Sequence, residues 1–167
     1  RNWRCIGYTS ATTASTITCG SCHNSNTGPG AGGTGPNGPH GSTFTPLLER
    51  QYVVADNSSE RAANYALCYK CHSRTSILAD AAGSFREHNK HISSERTPCN
   101  VCHDPHGISA TQGTTANNSK LINFDRSVVS ARTGTGAPGV PVFTSTGNGT
   151  GRCDLVCHGA SHNPWSY

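Results

Sequence analysis

The chain has 167 residues, of which 33% are hydrophobic and 13% charged, with 19 glycines and 9 prolines. The length suits one domain spanning residues 1–167, but the composition holds little aliphatic material for an ordinary core. We therefore expect something other than side chains to fill the interior. The formal charge is +4 and no polybasic run is present, so nucleic acid is a poor candidate partner. No apolar run is long enough to predict a membrane span.

The nine cysteines and the complete absence of methionine indicate the cellular location and the processing of the protein. So many cysteines are unusual in the reducing cytosol and predict an exported protein. Because the chain starts at Arg1 and contains no Met, we expect a processed mature form.

The N-terminal segment carries Cys5, which is left over when the other eight cysteines are assigned to pairs. It is either an inert thiol in a mobile terminus or one half of a disulfide. The first pair is Cys19 and Cys22, followed by His23. Cys-x-x-Cys-His is the attachment signature of haem c, because two thiols one helical turn apart can each form a thioether to a vinyl group and the histidine then ligates the iron. Half of a zinc site is the weaker interpretation, since histidine follows the second cysteine at every later repeat.

Residues 28–41 have the composition of a flexible linker, but they include His40. Its neighbours Pro39 and Gly41 allow the backbone to approach a flat ring closely, which favours an axial ligand over an exposed loop histidine. A predicted helix over residues 57–67 then leads into the second unit, Cys68, Cys71 and His72.

The block from Phe85 to His106 is the densest in the chain. It contains the third unit, for which Thr97 is the predicted N-cap and Pro98 the first helical residue. That unit and the histidines around it are Cys99, Cys102, His103, His88, His91 and His106.

Three histidines of this block are spare. His88 and His91 lie about 60° apart on a predicted helix, so they cannot both occupy one axial position. His106 follows His103 too closely to reach the far side of the same iron. These histidines are therefore expected to serve other haems.

The last unit has three residues between Cys153 and Cys157, followed by His158. In a slightly distorted helical turn both thioethers stay feasible. The alternative keeps Cys157 as the single thioether and pairs Cys153 with Cys5. His162 is a fifth candidate for the distal side of an iron and the least secure of the five.

The block with His88, His91 and the third unit resembles cytochrome c3, in which two histidines at that spacing ligate two different haems. The sequences Cys102-His-Asp-Pro-His-Gly107, Gly38-Pro-His-Gly41 and Cys157-His-Gly-x-x-His162 are similar to those of the extracellular tetrahaem cytochromes that polymerise into conductive filaments. This resemblance implies bis-histidine haems in closely stacked pairs, continuous between subunits, with ligands that can be shared across the interface.

The sequence thus predicts a multihaem cytochrome c, mostly coil with short helices around four covalent haems and little or no sheet. The expected function is electron transfer without substrate chemistry, in an extracellular filament of identical subunits. The predicted thioether cysteines are Cys19, Cys22, Cys68, Cys71, Cys99, Cys102, Cys153 and Cys157. The predicted proximal ligands are His23, His72, His103 and His158, and the distal candidates are His40, His88, His91, His106 and His162.

Without Met, His/Met ligation is impossible, so low potentials are expected. The haem propionates should offset the basic charge. The expected partners are other copies of the chain and redox proteins or extracellular electron acceptors. Two alternatives stay open, a monomeric periplasmic electron shuttle and a multihaem reductase with one open haem.

Overall fold

The computed structural model describes residues 16–167 apart from residues 82, 109–117 and 148. Two compact units are present. The first comprises Arg1–Val53 and Glu60–Arg74, and the second comprises Val54–Ser59 and Thr75–Tyr167. That these form one domain stays a prediction, and Cys5 lies outside the described residues.

The helices in the described part of the chain are all short. The α-helices are α1 (Ala66–Tyr69), α2 (Arg74–Leu78) and α3 (Cys99–Cys102). Two 3-10 turns cover Cys19–Ser21 and Pro29–Ala31, and a π-helical turn covers Lys90–Ser94.

Local helix predictions were partly wrong. The helix expected over residues 57–67 begins only at Ala66, because Asn57 takes a left-handed backbone conformation (φ +61°) and the chain before Ala66 forms turns. The helix α3 begins at Cys99 with Pro98 at its N-cap, one residue later than predicted. The following His103 is extended (φ −112°, ψ 129°), which ends the helix after a single turn.

The second unit contains a four-stranded antiparallel sheet, so the prediction of little or no sheet is wrong. Its strands are β1 (Val129–Ser130), β2 (Val142–Gly147), β3 (Thr150–Cys157) and β4 (Ala160–Ser166). The central strand is β3, which pairs with the other three. The fourth cysteine pair therefore lies on a strand instead of a helix.

The short connections between the strands explain this sheet. The sequence Asn-Gly at positions 148–149 stands between β2 and β3, and Asn-Gly is the strongest short hairpin signal. Between β3 and β4, His158 (φ +47°) and Gly159 (φ +77°) are both left-handed, as a two-residue type I′ turn requires. The strands were not predicted, because the Thr, Ser and Gly residues in this part of the sequence are typical of loops.

The two units bury different kinds of side chain. In the second unit, an apolar cluster lies against the sheet, with Cys102, Cys153 and Cys157 packed at its edge. The cluster residues are Val101, Ile122, Phe124, Val129 and Leu155. In the first unit, the buried hydrophobic residues that the structure describes are Leu48 and Tyr65. Much of its buried surface is polar instead, contributed by Ser21, Asn24, Ser25, Glu49 and Lys70.

Candidate functional site

Three of the four cysteine units share one backbone turn. In each, the histidine N–H donates to the carbonyl of the first cysteine four residues back, which places both cysteines on a single helical turn. The three N···O distances are 2.7 Å for His23 to Cys19, 3.0 Å for His72 to Cys68 and 2.7 Å for His103 to Cys99. This geometry fits the attachment of two thiols to one porphyrin.

The fourth unit has a different geometry. Cys153 and Cys157 lie on β3, where four residues advance the chain by about 13 Å. In the helical units, three residues advance it by about 4.5 Å. The structure thus brings the cysteines of the first three units close together but separates these two along a strand.

The cysteines differ in oxidation state. Cys71 is disulfide-bonded, whereas the other seven cysteines in the described part of the chain are thiols. A sulfur in a disulfide cannot also form a thioether, and the assignment of Cys71 to a haem thioether stays a prediction. Cys153 is a free thiol, which also differs from the alternative in which it pairs with Cys5.

Burial protects several of the thiols from ionisation. It raises the pKa of Cys153 to about 12 and also raises the pKa values of Cys22, Cys102 and Cys157. Cys102, Cys153 and Cys157 lie against the apolar cluster, where a flat hydrophobic ring would be compatible with their surroundings.

Four imidazoles of the second unit form two pairs, with 38° between the ring planes of one pair and 31° in the other. The ring centres of His88 and His103 are 6.3 Å apart, and those of His91 and His162 are also 6.3 Å apart. An imidazole nitrogen lies about 1.1 Å from its ring centre and about 2.0 Å from a metal it ligates, so two imidazoles on opposite sides of one metal have centres about 6.2 Å apart. Both pairs match this separation. His88 and His91 contact different histidines, as their offset on a helix predicts.

The rings are also oriented as ligands should be. A metal-bound histidine usually donates its second ring nitrogen to a fixed oxygen, which sets the tautomer. In five histidines, Nδ1 lies within hydrogen-bond distance of such an oxygen. The pairs are His23 and Pro46 O (3.0 Å), His103 and Lys120 O (2.9 Å), His91 and Glu87 O (2.7 Å), His88 and Ser84 Oγ (3.0 Å), and His162 and Tyr167 Oη (2.6 Å). Carbonyl oxygens only accept, so Nδ1 carries the proton in the first three and Nε2 keeps its lone pair for a metal.

Two aromatic residues position these imidazoles. The ring of Phe85 contacts His88 edge-on (5.4 Å) and His91 (5.9 Å), and it packs against Tyr167 at 4.9 Å. Tyr167 also hydrogen-bonds His162, and burial raises the pKa of its hydroxyl. Sequence reasoning assigned no role to Tyr167, although its position in an aromatic C-terminal segment was a signal.

Three of the four remaining candidate histidines lie in other surroundings. His40 is exposed on its loop, and the exposed His106 has Nδ1 3.2 Å from a carboxylate oxygen of Asp104. His158 has Nε2 3.0 Å from both carboxylate oxygens of Asp56. Of these three, none forms a described imidazole pair like those above.

A buried ion pair connects the first two cysteine units. Lys70, between Cys68 and Cys71, lies 2.7 Å from Glu49 and donates to the carbonyl of Ser21 at 2.9 Å. The side chains of Lys70 and Glu49 are only 4% and 1% exposed. Because Ser21 belongs to the first unit, this lysine holds the two attachment turns side by side.

Among the described residues, no group of three or more Cys, His, Asp or Glu side chains converges as a metal-ligand set. A haem iron needs only two side chains, because the porphyrin supplies the other four ligands. In the same part of the chain, every helix is too short or too polar to cross a membrane.

Comparison with protein-family models, with curated proteins and with solved structures finds no match to this chain.

Proposed function

We propose that this protein is a tetrahaem c-type cytochrome that transfers electrons and catalyses no reaction on a substrate. The observation that supports this proposal is the two imidazole pairs, each with 6.3 Å between ring centres, in a chain that carries cysteine units of the haem c type. The resemblance to tetrahaem cytochromes supports four haems in one chain.

In this function, the protein holds each haem and keeps its surroundings constant. A bound haem supplies an iron that gains and loses one electron. The Nδ1 hydrogen bonds fix the imidazoles in one orientation, so a change of charge at the metal requires little rearrangement of the protein. The apolar cluster beside Cys102 excludes water, which also limits rearrangement. With two imidazoles per iron and no Met in the chain, the potentials should be low.

The same protein is proposed as the repeating subunit of an extracellular filament. Of the described strands, β4 pairs only with β3, and its open edge offers backbone groups to another chain. Trp165 on β4 is 56% exposed, and aromatic side chains are enriched in protein interfaces. The partners would be further copies of this chain and redox proteins or electron acceptors outside the cell.

Haem content is tested on the purified full-length holoprotein. Its intact mass should exceed that of the polypeptide by four haem groups, and the denatured protein should retain its red colour because thioethers survive denaturation. The iron should be low-spin in both oxidation states and should not bind cyanide. A colourless protein would refute the proposal, and cyanide binding would favour the reductase alternative.

Assembly is tested by electron microscopy of the same material under non-denaturing conditions. We expect filaments of regular subunit spacing. Monodisperse particles of monomer size would reject the filament and favour the alternative of a periplasmic shuttle.

A further inference from the structure

The first and third cysteine units share an arrangement that reaches beyond their own turns. In each, a segment that returns to the unit places a backbone carbonyl beside the histidine ring, 3.0 Å from Nδ1 of His23 and 2.9 Å from Nδ1 of His103. The carbonyls belong to Pro46, 23 residues after His23, and to Lys120, 17 residues after His103. Connections of different length thus end in the same contact.

Two backbone hydrogen bonds around this contact also correspond. The residue after each histidine donates its N–H to a leucine carbonyl, and the residue two positions after that leucine donates its N–H to the carbonyl of the second cysteine. The N···O distances are 3.1 Å for Asn24 to Leu47, 2.9 Å for Asp104 to Leu121, 2.8 Å for Glu49 to Cys22 and 3.0 Å for Asn123 to Cys102. The return segments, residues 46–49 and 120–123, therefore hold their units through the same hydrogen bonds.

Each return segment contains two adjacent aliphatic residues in opposite environments. The second is buried and forms an isolated β-bridge with the histidine of its unit; these residues are Leu48 and Ile122. The first is the leucine described above, and it is 45% exposed at Leu47 and 47% exposed at Leu121. Burial within the protein thus accounts for the aliphatic character of Leu48 and Ile122 but not for that of the two leucines before them.

The backbone conformation at these leucines is unfavourable for their residue type. Leu47 and Leu121 both have φ +60°, in the left-handed region, where the Cβ atom of an L-residue crowds the following carbonyl. Glycine adopts this conformation without that cost. Such strain persists only where the surrounding structure enforces it, and it clusters at ligand-binding and active sites. The same strained residue at two cysteine units therefore indicates a role for the leucine side chain.

We propose that Leu47 and Leu121 are haem-positioning residues, each packed against the haem attached at its own unit and excluding water from it. This inference rests on the proposed function, because it requires haems at the first and third units. Each leucine directly follows the residue whose carbonyl contacts the histidine ring, so its side chain begins beside a predicted iron ligand. A porphyrin bound there would bury the apolar surface of the leucine, which accounts for an aliphatic residue at a position that glycine would fill with less strain.

The experiment measures the reduction potentials of the full-length holoprotein after its haems have been counted. Leu47→Gly and Leu121→Gly relieve the backbone but remove the apolar side chain. Each should move at least one reduction step to a lower potential, because water stabilises the oxidised, more highly charged iron. The two variants should move different steps, since the leucines belong to different units. The matched control is Asn57→Gly, which should move none, because Asn57 is also exposed and left-handed (φ +61°) and carries no apolar side chain.

Leu47→Met and Leu121→Met separate the apolar contact from the shape of the backbone. Methionine keeps a flexible apolar side chain at the position, so both variants should retain the wild-type potentials. Wild-type potentials in either glycine variant, or an equal shift in Asn57→Gly, would overturn the inference. A wild-type protein without haem would refute the proposed function itself, whereas four haems with unshifted potentials in the glycine variants would refute this inference alone.

Discussion

The buried ion pair of the first unit leads to a sharp prediction about stability. Replacing Lys70 with Met leaves Glu49 with 1% of its side chain exposed and without the cation that lies 2.7 Å away. Removing one partner of a buried ion pair costs about 3–5 kcal/mol when the remaining charge is left without compensation. Here Glu49 keeps Arg50, whose Nε lies 3.6 Å from its carboxylate, so the low end of that range applies. The carbonyl of Ser21 also loses its hydrogen bond from Lys70, which adds about 1 kcal/mol. We expect Lys70→Met to lower the free energy of unfolding by about 3 kcal/mol.

The assay is guanidinium unfolding of the holoprotein at neutral pH, followed by far-UV circular dichroism. The matched control is Lys120→Met, since Lys120 is exposed and substitutions at such surface positions usually change stability by about 0.5 kcal/mol or less. An equal loss in the two variants would show that Lys70 is not paired in a buried site.

A double-mutant cycle separates the ion pair from other effects of the substitution. Glu49→Gln alone should also be destabilising, because it removes the carboxylate charge that lies 2.7 Å from the buried ammonium group of Lys70. The double variant Lys70→Met/Glu49→Gln buries no unpaired charge from this pair, so it should recover most of the loss. A double variant whose loss equals the sum of the two single losses would refute the reasoning.

Three further predictions concern other parts of the molecule. Gly151→Ala places a methyl group against the ring of Phe143 and should destabilise the protein by about 1–3 kcal/mol, measured by chemical unfolding. The control Gly20→Ala should not destabilise it, because the new carbon meets Thr18 at an ordinary contact distance of 3.9 Å. Equal effects of the two substitutions would contradict the packing of β2 on β3. The hydrogen bond from Arg74 lowers the pKa of Glu60 below its usual 4.5, so the stability that Glu60 contributes is present above that value and is lost as the pH falls through the lower folded pKa. Glu60→Gln should therefore flatten the pH dependence of the free energy of unfolding in that acidic range. An unchanged pH profile would contradict this prediction. After denaturation of the holoprotein, a thiol-alkylating reagent should modify one of Cys153 and Cys157, as measured by peptide mass spectrometry. The cysteines that should stay unmodified are Cys19, Cys22, Cys99 and Cys102. Protection of both strand cysteines would contradict the geometry of β3.

The attachment turns were predictable from the sequence because they are local. In the unit ending at His103, the defining hydrogen bond spans only four residues, and the one-turn helix α3 forms within one residue of its predicted start. The offset of His88 and His91, which sends them to different imidazoles, likewise follows from positions three residues apart.

The fourth unit was not predictable in the same way. A spacing of four residues brings two side chains to the same side of a helix and to the same face of a strand, so the spacing of Cys153 and Cys157 is compatible with both. The segment forms a strand because β3 pairs with three other strands, and these contacts include residues distant in sequence.

By itself, the sequence determined which chemistry is available: thiols in pairs, nine imidazoles and no methionine. Only the tertiary structure decided which imidazoles face each other. His158 and His162 are four residues apart and chemically identical, yet one meets a carboxylate 102 residues away and the other meets His91. The partner of an imidazole is set by long-range packing, which a local pattern of residues does not encode.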